Sequence, residues 1–117
     1  MPSENTLLAR HLLNEGVATF AEGDLIEAEK CFTAAKRLAS EPTLNEPTKN
    51  TARLYLAVTY CANDVPGLQG EFKAENDHWF ELAEQEYREV LASDPQERER
   101  QYAEQGLKNL VVFRQPV

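Results

Sequence analysis

The sequence predicts an all-α protein of one domain, and three observations support this. Apolar residues recur at three- and four-residue steps in five successive segments, which is the helical period. Residues that cap or stop helices stand between these segments. Apart from residues 110–113, nothing alternates between apolar and polar positions as a half-buried strand would. The length of 117 residues is that of a single ordinary domain.

The first two helices are expected to form a hairpin around a tight turn. Residues 7–21 follow the helical period, and Ser3 or Asn5 can cap their start. Gly23 and Asp24 interrupt the pattern. Because an Asp side chain accepts hydrogen bonds from the first free backbone N–H groups of a helix, Asp24 is predicted to cap the second helix.

A connection and a third helix follow. Pro42 and Pro47 stand in a stretch with few apolar residues, so this stretch is predicted to be a loop. Residues 50–62 resume the helical period and form the predicted third helix. Residues 63–70 contain proline and glycine together, which is typical of an exposed turn.

The last two helices are separated by a proline. The fourth helix is expected to begin near Glu71 or Lys73 and to end at Ser93. Proline is favoured in the first turn of a helix. Asp94 is therefore predicted to cap a fifth helix over about residues 95–113.

Small and aromatic residues occupy equivalent places in the two helix pairs. Gly16, Ala28 and Phe32 mark the first pair, and Ala83 and Tyr87 mark the second. Small residues suit positions where two helices nearly touch, and aromatic residues fill the neighbouring space. This order resembles the tetratricopeptide repeat, a helix-turn-helix unit of about 34 residues.

The resemblance implies a short α-solenoid, with an ordinary antiparallel helix bundle as the alternative. Ala28 and Ala83 are further apart than one family period, and the surplus residues are assigned to loops. The whole chain, 1–117, is then a single domain. Its expected parts are repeat one over about residues 7–40, repeat two over about 50–93 with an inserted loop at about 63–72, and a C-terminal capping helix over about 95–113.

The capping helix is expected to separate its polar and apolar residues, as a terminal cap must. Leu107 and Leu110 are predicted to face the preceding helices. The predicted outward residues are Arg98, Glu99, Arg100 and Glu104.

Charge and composition exclude several classes of partner. The net charge of -8 repels phosphate backbones and anionic lipids, so neither nucleic acid nor a membrane is an expected partner. No apolar stretch reaches the roughly 20 residues of a membrane-spanning helix, and the first residues lack the features of a secretory signal. The expected location is therefore the cytoplasm. Cys31 and Cys61 form no metal-binding or redox motif and are predicted to be buried apolar residues.

The sequence offers little for catalysis, so the protein is not expected to be an enzyme, nor to hold a metal or another cofactor. His11 stands one helical turn from Glu15. Glu75 and His78 have the spacing used in carboxylate-bridged di-iron bundles, but such bundles need this pair twice. A metal-carboxylate helix-bundle enzyme is kept as an alternative. The acidic residues between 71 and 99 are predicted to be a solvated helix surface, with docking of a basic partner as the other possibility.

The resemblance implies a function in protein–protein interaction. In this family the first helices of successive repeats line a concave groove that holds a segment of another protein. Apolar and aromatic walls suit a helical or extended segment with apolar anchors. The positions carried over to the groove are Arg10, Leu13, Asn14, Val17 and Phe20 from the first helix, Leu54, Tyr55 and Val58 from the third, and Tyr102 and Asn109 from the fifth.

Two alternatives concern the same surface. The fifth helix could cover the groove. The protein could also be a homo-oligomeric scaffold, for example a homodimer, because two repeats and a cap are few for an independent solenoid. The surplus apolar surface that could join two copies comprises Trp79, Phe80 and residues 110–113.

Overall fold

The computed structural model describes residues 3–42, 46–62 and 78–114, and within them it contains five α-helices, which confirms the all-α class. The expected loop at 63–72 and the expected start of the fourth helix at Glu71 or Lys73 lie outside the described residues. The helices are α1 (Glu4–Ala21), α2 (Leu25–Leu38), α3 (Thr48–Ala62), α4 (His78–Ala92) and α5 (Glu97–Arg114).

Side-chain caps define the starts of the first two helices. The Ser3 hydroxyl oxygen accepts a hydrogen bond from the backbone N–H of Thr6, at 3.1 Å. Asp24 accepts one from the backbone N–H of Glu27, also at 3.1 Å, as the sequence predicts. Gly23 between the helices has a φ of 85°, a conformation that glycine adopts without a steric penalty. These features close α1 and α2 into a tight hairpin.

The junction between α4 and α5 differs from the expectation. Asp94 does not cap α5, because this helix begins only at Glu97 and Asp94 has a φ of 58°. The Glu99 carboxylate instead accepts a hydrogen bond at 3.0 Å from the backbone N–H of Gln96. Glu99 is buried, whereas the sequence predicted that it faces outward.

The helices form two layers. Each helix packs against the next one along the chain, and α1 also contacts α3, which in turn contacts α5. These contacts place α1, α3 and α5 in one layer and α2 and α4 in the other. An ion pair of 2.7 Å between Lys36 and Glu86 connects α2 to α4. Glu86 is buried, whereas the sequence pattern predicted that it belongs to a solvated helix surface.

Small residues lie where the helices approach one another. Gly16 is buried against the ring of Phe32, and Ala28 and Ala83 are fully buried in the larger core cluster. Gly16 is therefore a point of close contact between α1 and α2, as predicted, and the burial of Ala28 and Ala83 is consistent with the same role. The buried residues of a second cluster between α1, α2 and α3 are all alanines, and three partly buried leucines pack against them. The alanines are Ala9, Ala35, Ala39 and Ala52.

Part of the surface that was predicted to join two copies is buried inside the protein. Phe80 and Leu110 both belong to the larger core cluster, so neither side chain is available to another molecule. Val111 is exposed. The side chains of Trp79, Val112 and Phe113 lie outside the described part of the structure.

Candidate functional site

A cleft of about 610 Å³ lies between α3 and α5. Most of its surface is apolar and aromatic, with polar side chains along α5. Its size and composition are those of sites that hold small molecules or short peptide stretches. The residues that line it are Pro47, Thr51, Leu54, Tyr55, Val58, Tyr87, Gln96, Arg98, Glu99, Tyr102, Gln105, Gly106 and Asn109.

The wall formed by α3 depends on helical spacing. Leu54, Tyr55 and Val58 follow Thr51 by three, four and seven residues, so all four share one face of the helix. The Tyr55 ring stacks on that of Phe32, with a centroid distance of 5.1 Å and an interplanar angle of 14°. This contact holds the ring in place while 37% of the residue remains exposed. Val58 is 44% exposed.

The opposite wall uses the same spacing on α5. Arg98, Tyr102, Gln105 and Asn109 recur at steps of four, three and four residues and therefore share one face. Tyr102 is 61% exposed, which is unusually high for an aromatic side chain on a stable helix. The side-chain N–H of Gln105 donates to the Asn109 oxygen at 3.0 Å, leaving the Asn109 NH₂ group without a partner among the described residues.

The floor of the cleft is a glycine packed against a tyrosine. Gly106 has no side chain, so the ring of Tyr87 lies directly on the backbone of α5. Burial raises the pKa of the Tyr87 hydroxyl, and the neighbouring Cys61 raises it further by a smaller amount. The phenol therefore stays neutral at physiological pH.

A buried polar network adjoins the cleft through Glu99. Asn50 is fully buried and donates to the Ser93 hydroxyl at 2.9 Å and to the Glu99 carboxylate at 3.2 Å. Arg53 donates to the Asn50 oxygen at 2.9 Å and lies 3.5 Å from the carboxylate of Glu89. The second carboxylate oxygen of Glu99, Oε2, is buried and has no hydrogen-bond partner among the described residues. The network joins α3, the end of α4 and the start of α5.

The cleft unites half of the residues that were expected to form the groove. Leu54, Tyr55, Val58, Tyr102 and Asn109 all line it. Because α5 forms one wall, this helix borders the cleft and does not cover it.

The five expected groove residues of α1 lie outside this cleft. Arg10 forms an ion pair with Glu46, just before α3. Leu13 and Phe20 are partly buried against the core, which uses their apolar surface inside the protein. Asn14 and Val17 are exposed on α1.

Several residues of the cleft were missed by the sequence analysis or assigned another role. Gln105 follows Tyr102 by three residues, and Arg98 precedes it by four. Extending the helical face that contains Tyr102 would therefore have found both of them. The contact between Gly106 and Tyr87 joins two helices and has no signal in local spacing.

The outer face of α4 carries Glu81, Glu84 and Glu89, three of the seven acidic residues that the structure describes between 71 and 99. Arg88 forms an ion pair with Glu84 at 2.8 Å, and Gln85 donates to Glu89 at 3.4 Å. These contacts lie within one helix and are exposed, so they are weak. The depression that they line is shallow and open to solvent. Glu86 differs from them because it is buried beside Lys36.

Candidate metal ligands are not clustered in the described regions. No three His, Cys, Asp or Glu residues come together among residues 3–42, 46–62 and 78–114. His11 lies 3.7 Å from Glu15 on the exposed face of α1. Glu75 and the side chain of His78 fall outside the described residues.

Both cysteines are free thiols with raised pKa values. Burial raises the pKa of Cys61 to about 11. Burial, followed by nearby carboxylates such as Glu27, raises that of Cys31. A raised pKa disfavours the reactive thiolate form.

Of the helices described, none combines the length and the apolar character needed to cross a membrane. Comparison with known proteins found no matching family model, no matching curated protein and no matching solved structure.

Proposed function

We propose that the protein is a non-catalytic adaptor of the cytoplasm, which binds a segment of another protein in the cleft between α3 and α5. The observation that carries this proposal is the exposed apolar and aromatic lining of the cleft. Tyr55, Val58 and Tyr102 together leave a large part of their surface in solvent. A concave site of this kind gains free energy when an apolar segment displaces water from it.

The helix arrangement also favours an interaction module. We propose that α1 and α2 form one tetratricopeptide-like repeat, that α3 and α4 form a second, and that α5 is the cap. The layer of α1, α3 and α5 supports this, as does the packing of Gly16 on Phe32 and of Gly106 on Tyr87. In this interpretation the cleft lies between the first helix of repeat two and the cap.

A homo-oligomeric scaffold is the second candidate, supported by apolar residues exposed outside the cleft. Leu7 and Leu8 on α1 and Val111 on α5 are all exposed. The molar mass in solution distinguishes the candidates. A monomer at micromolar concentration supports the adaptor, and a stable dimer or larger assembly supports the scaffold.

Selection from a random peptide display library tests the proposed function. We expect the wild type to enrich a set of related peptides. Val58→Glu should abolish their binding, because it places a charge in the cleft that an apolar ligand would bury. Leu8→Glu is the matched control, since Leu8 is 47% exposed and lies outside the cleft. Circular dichroism verifies that both variants remain helical. Selected peptides that bind Val58→Glu and the wild type equally would contradict the proposal.

A further inference from the structure

We infer that the segment bound in this cleft carries an arginine, whose guanidinium pairs with Glu99 near the start of α5. The inference rests on the proposed function and specifies the chemistry of the partner. Three observations support it, namely the unpaired carboxylate oxygen of Glu99, the exposed tyrosine beside it, and the negative charge of the protein.

Glu99 lines the cleft with a carboxylate that is only half used. The residue is 6% exposed. Its Oε1 accepts hydrogen bonds from the side chain of Asn50 and from the backbone N–H of Gln96. Its Oε2 is also buried, but it accepts no hydrogen bond from any described residue. Buried polar atoms in native proteins nearly always have a partner, so this oxygen is a candidate acceptor for a donor from another molecule.

The other buried charges of the described regions are paired, and Glu99 is not. Glu86 forms an ion pair with Lys36, and Arg53 lies 3.5 Å from the carboxylate of Glu89. Glu99 has no ion pair within residues 3–42, 46–62 and 78–114. Because a buried charge is costly unless it is paired, an incoming cation stabilises Glu99 more than it would an exposed carboxylate. Glu99 lines the cleft, whereas Glu86 and Arg53 do not.

The aromatic ring next to Glu99 favours arginine over lysine. Tyr102 follows Glu99 by three residues on α5, so the two side chains are neighbours on the helix surface. Tyr102 is 61% exposed, which leaves its ring open to contact. A guanidinium can stack on an aromatic ring while its N–H groups donate to a carboxylate. It is also more weakly hydrated than an ammonium group, so it loses less on entering a cleft with an apolar lining.

The cleft has room for an apolar anchor beside the arginine. Asn50 of α3 contacts Glu99, and Val58 follows Asn50 by eight residues, which is about 12 Å along the helix axis. An extended chain covers this distance in about four residues. We therefore expect the arginine and the apolar side chain that contacts Val58 to be about four residues apart in an extended segment.

Charge complementarity also favours a cationic segment. The net charge of -8 attracts cations at long range. Arg98 opposes this inside the cleft, but it is exposed, so solvent screens its charge more than that of the buried Glu99. The alternative is an acidic segment that pairs with Arg98. An exposed arginine without a partner is common on protein surfaces, whereas a buried carboxylate oxygen without one is rare, so the cation is favoured.

NMR titration of the ¹⁵N-labelled protein with three synthetic peptides tests the inference. The first probe is Leu-Ala-Ala-Ala-Arg-Ala-Ala-Ala-Leu with both ends capped, so that arginine is its only charge and a leucine lies four residues away in either direction. The second has citrulline in place of arginine, which keeps the shape and removes the charge. The third has lysine. We expect saturable binding of the arginine peptide, with the citrulline peptide at least about tenfold weaker and the lysine peptide intermediate.

Matched variants separate the role of Glu99 from the charge of the protein. Glu99→Gln keeps an oxygen that can accept from Asn50 and Gln96, and it should remove most of the preference for arginine over citrulline. Glu97→Gln removes the same charge from an exposed residue outside the cleft, and it should change the affinity by no more than about twofold. Arg98→Gln should strengthen binding of the arginine peptide, because it removes a like charge.

Circular dichroism verifies that the variants remain helical. The comparison of the arginine and citrulline peptides uses the wild type, so it decides the question even if Glu99→Gln does not fold. The inference is overturned by the absence of saturable binding of the arginine peptide, by equal binding of the citrulline peptide, or by tighter binding of the lysine peptide. Unchanged arginine preference in a folded Glu99→Gln variant also overturns it, as does weaker binding to Arg98→Gln.

The outcomes distinguish this inference from the proposed function. If the arginine and citrulline peptides bind equally and Val58→Glu abolishes the binding of both, the cleft is still a binding site and only the assignment of arginine fails. If no peptide from the display library depends on Val58, the proposed function itself fails.

Discussion

Gly106 of α5 lies directly against Tyr87 of α4, and a β-carbon on Gly106 would come within 3.0 Å of three atoms of the tyrosine ring. An equivalent contact exists in the first hairpin, where a β-carbon on Gly16 would lie 2.5 Å from Cε1 of Phe32. Each glycine therefore allows an aromatic ring to fill the space between two helices. In the second half of the molecule the same contact forms the floor of the cleft.

Replacing Gly106 with alanine should destabilise the protein, contrary to helix propensity. Alanine is favoured over glycine inside a helix by about 1 kcal/mol. The added methyl group overlaps the Tyr87 ring, and overpacking of this kind costs about 1 to 3 kcal/mol. We expect Gly106→Ala to lower the free energy of unfolding in urea by about 1 kcal/mol. Lys108→Ala, at an exposed position on the same helix, is the control. A gain in stability for Gly106→Ala would show that the contact is loose.

Asn50 should be important for stability because it connects three helices. It is fully buried and hydrogen-bonded to Arg53, Ser93 and Glu99. Asn50→Leu leaves these groups buried without their partner, at a cost of about 1 to 3 kcal/mol for an unsatisfied buried group. We expect a loss near 3 kcal/mol in urea denaturation. Asn109→Leu is the control, because Asn109 is exposed. Equal effects of the two substitutions would refute a role of the network in holding α5.

The buried carboxyl of Glu86 should make stability depend on pH. Burial of the Glu86 carboxyl raises its pKa above the usual 4.5. The hydrogen bond and positive charge of Lys36 oppose this increase, as does the positive charge of Arg53, whereas the negative charge of Glu89 adds to it. A carboxyl group with a raised pKa in the folded state binds more protons there than in the unfolded chain. Its contribution to stability is therefore complete below pH 4.5 and decreases as the pH rises through the folded-state pKa.

Comparison with Glu86→Gln isolates this contribution. The wild type should gain stability relative to Glu86→Gln when the pH falls from neutral towards 4.5. Urea denaturation of both proteins across this range measures the difference. A difference that stays constant, or that grows as the pH rises, contradicts the burial of an ionisable carboxyl at this position.

Val58 and Leu54 are neighbours on α3 but should differ in their tolerance of charge. Val58 is exposed in the cleft, whereas Leu54 is partly buried and packs against the core. Val58→Glu should change the melting temperature little, and Leu54→Glu should lower it, because only the second substitution buries a charge in the folded protein. Thermal melts followed by circular dichroism measure both. Similar melting temperatures for the two variants would show that Leu54 is not part of the core.

Local signals predicted much of this fold. The helical period predicted the class and the approximate helices, and Asp24 predicted the start of α2 correctly. Of the two candidate caps of α1, Ser3 and Asn5, the structure uses Ser3, and the helix begins earlier than expected, at Glu4. Asp94 misled the prediction of the α5 start because Glu99 reaches back to the backbone of Gln96. A short-range pattern cannot show such a choice, since both side chains are able to cap a helix.

The cleft was predicted less completely for a different reason. Helical periodicity identifies which residues share a face, but not which element covers that face. Leu13 and Phe20 therefore resembled groove residues, although the core uses them. Arg98 and Glu99 were both predicted to face outward, although one lines the cleft as an exposed cation and the other is buried. The packing of α1 on α2 and α3 decides the first case, and the packing of α5 against α3 and α4 decides the second.

The most direct test of the account is an NMR titration of the ¹⁵N-labelled protein with the tightest peptide from the display selection. Binding in the cleft predicts that the largest shift changes occur on α3 between residues 47 and 58 and on α5 between residues 96 and 109. Changes concentrated on the outer face of α4, around Glu81 to Ala92, would contradict it and would assign binding to the acidic helix surface.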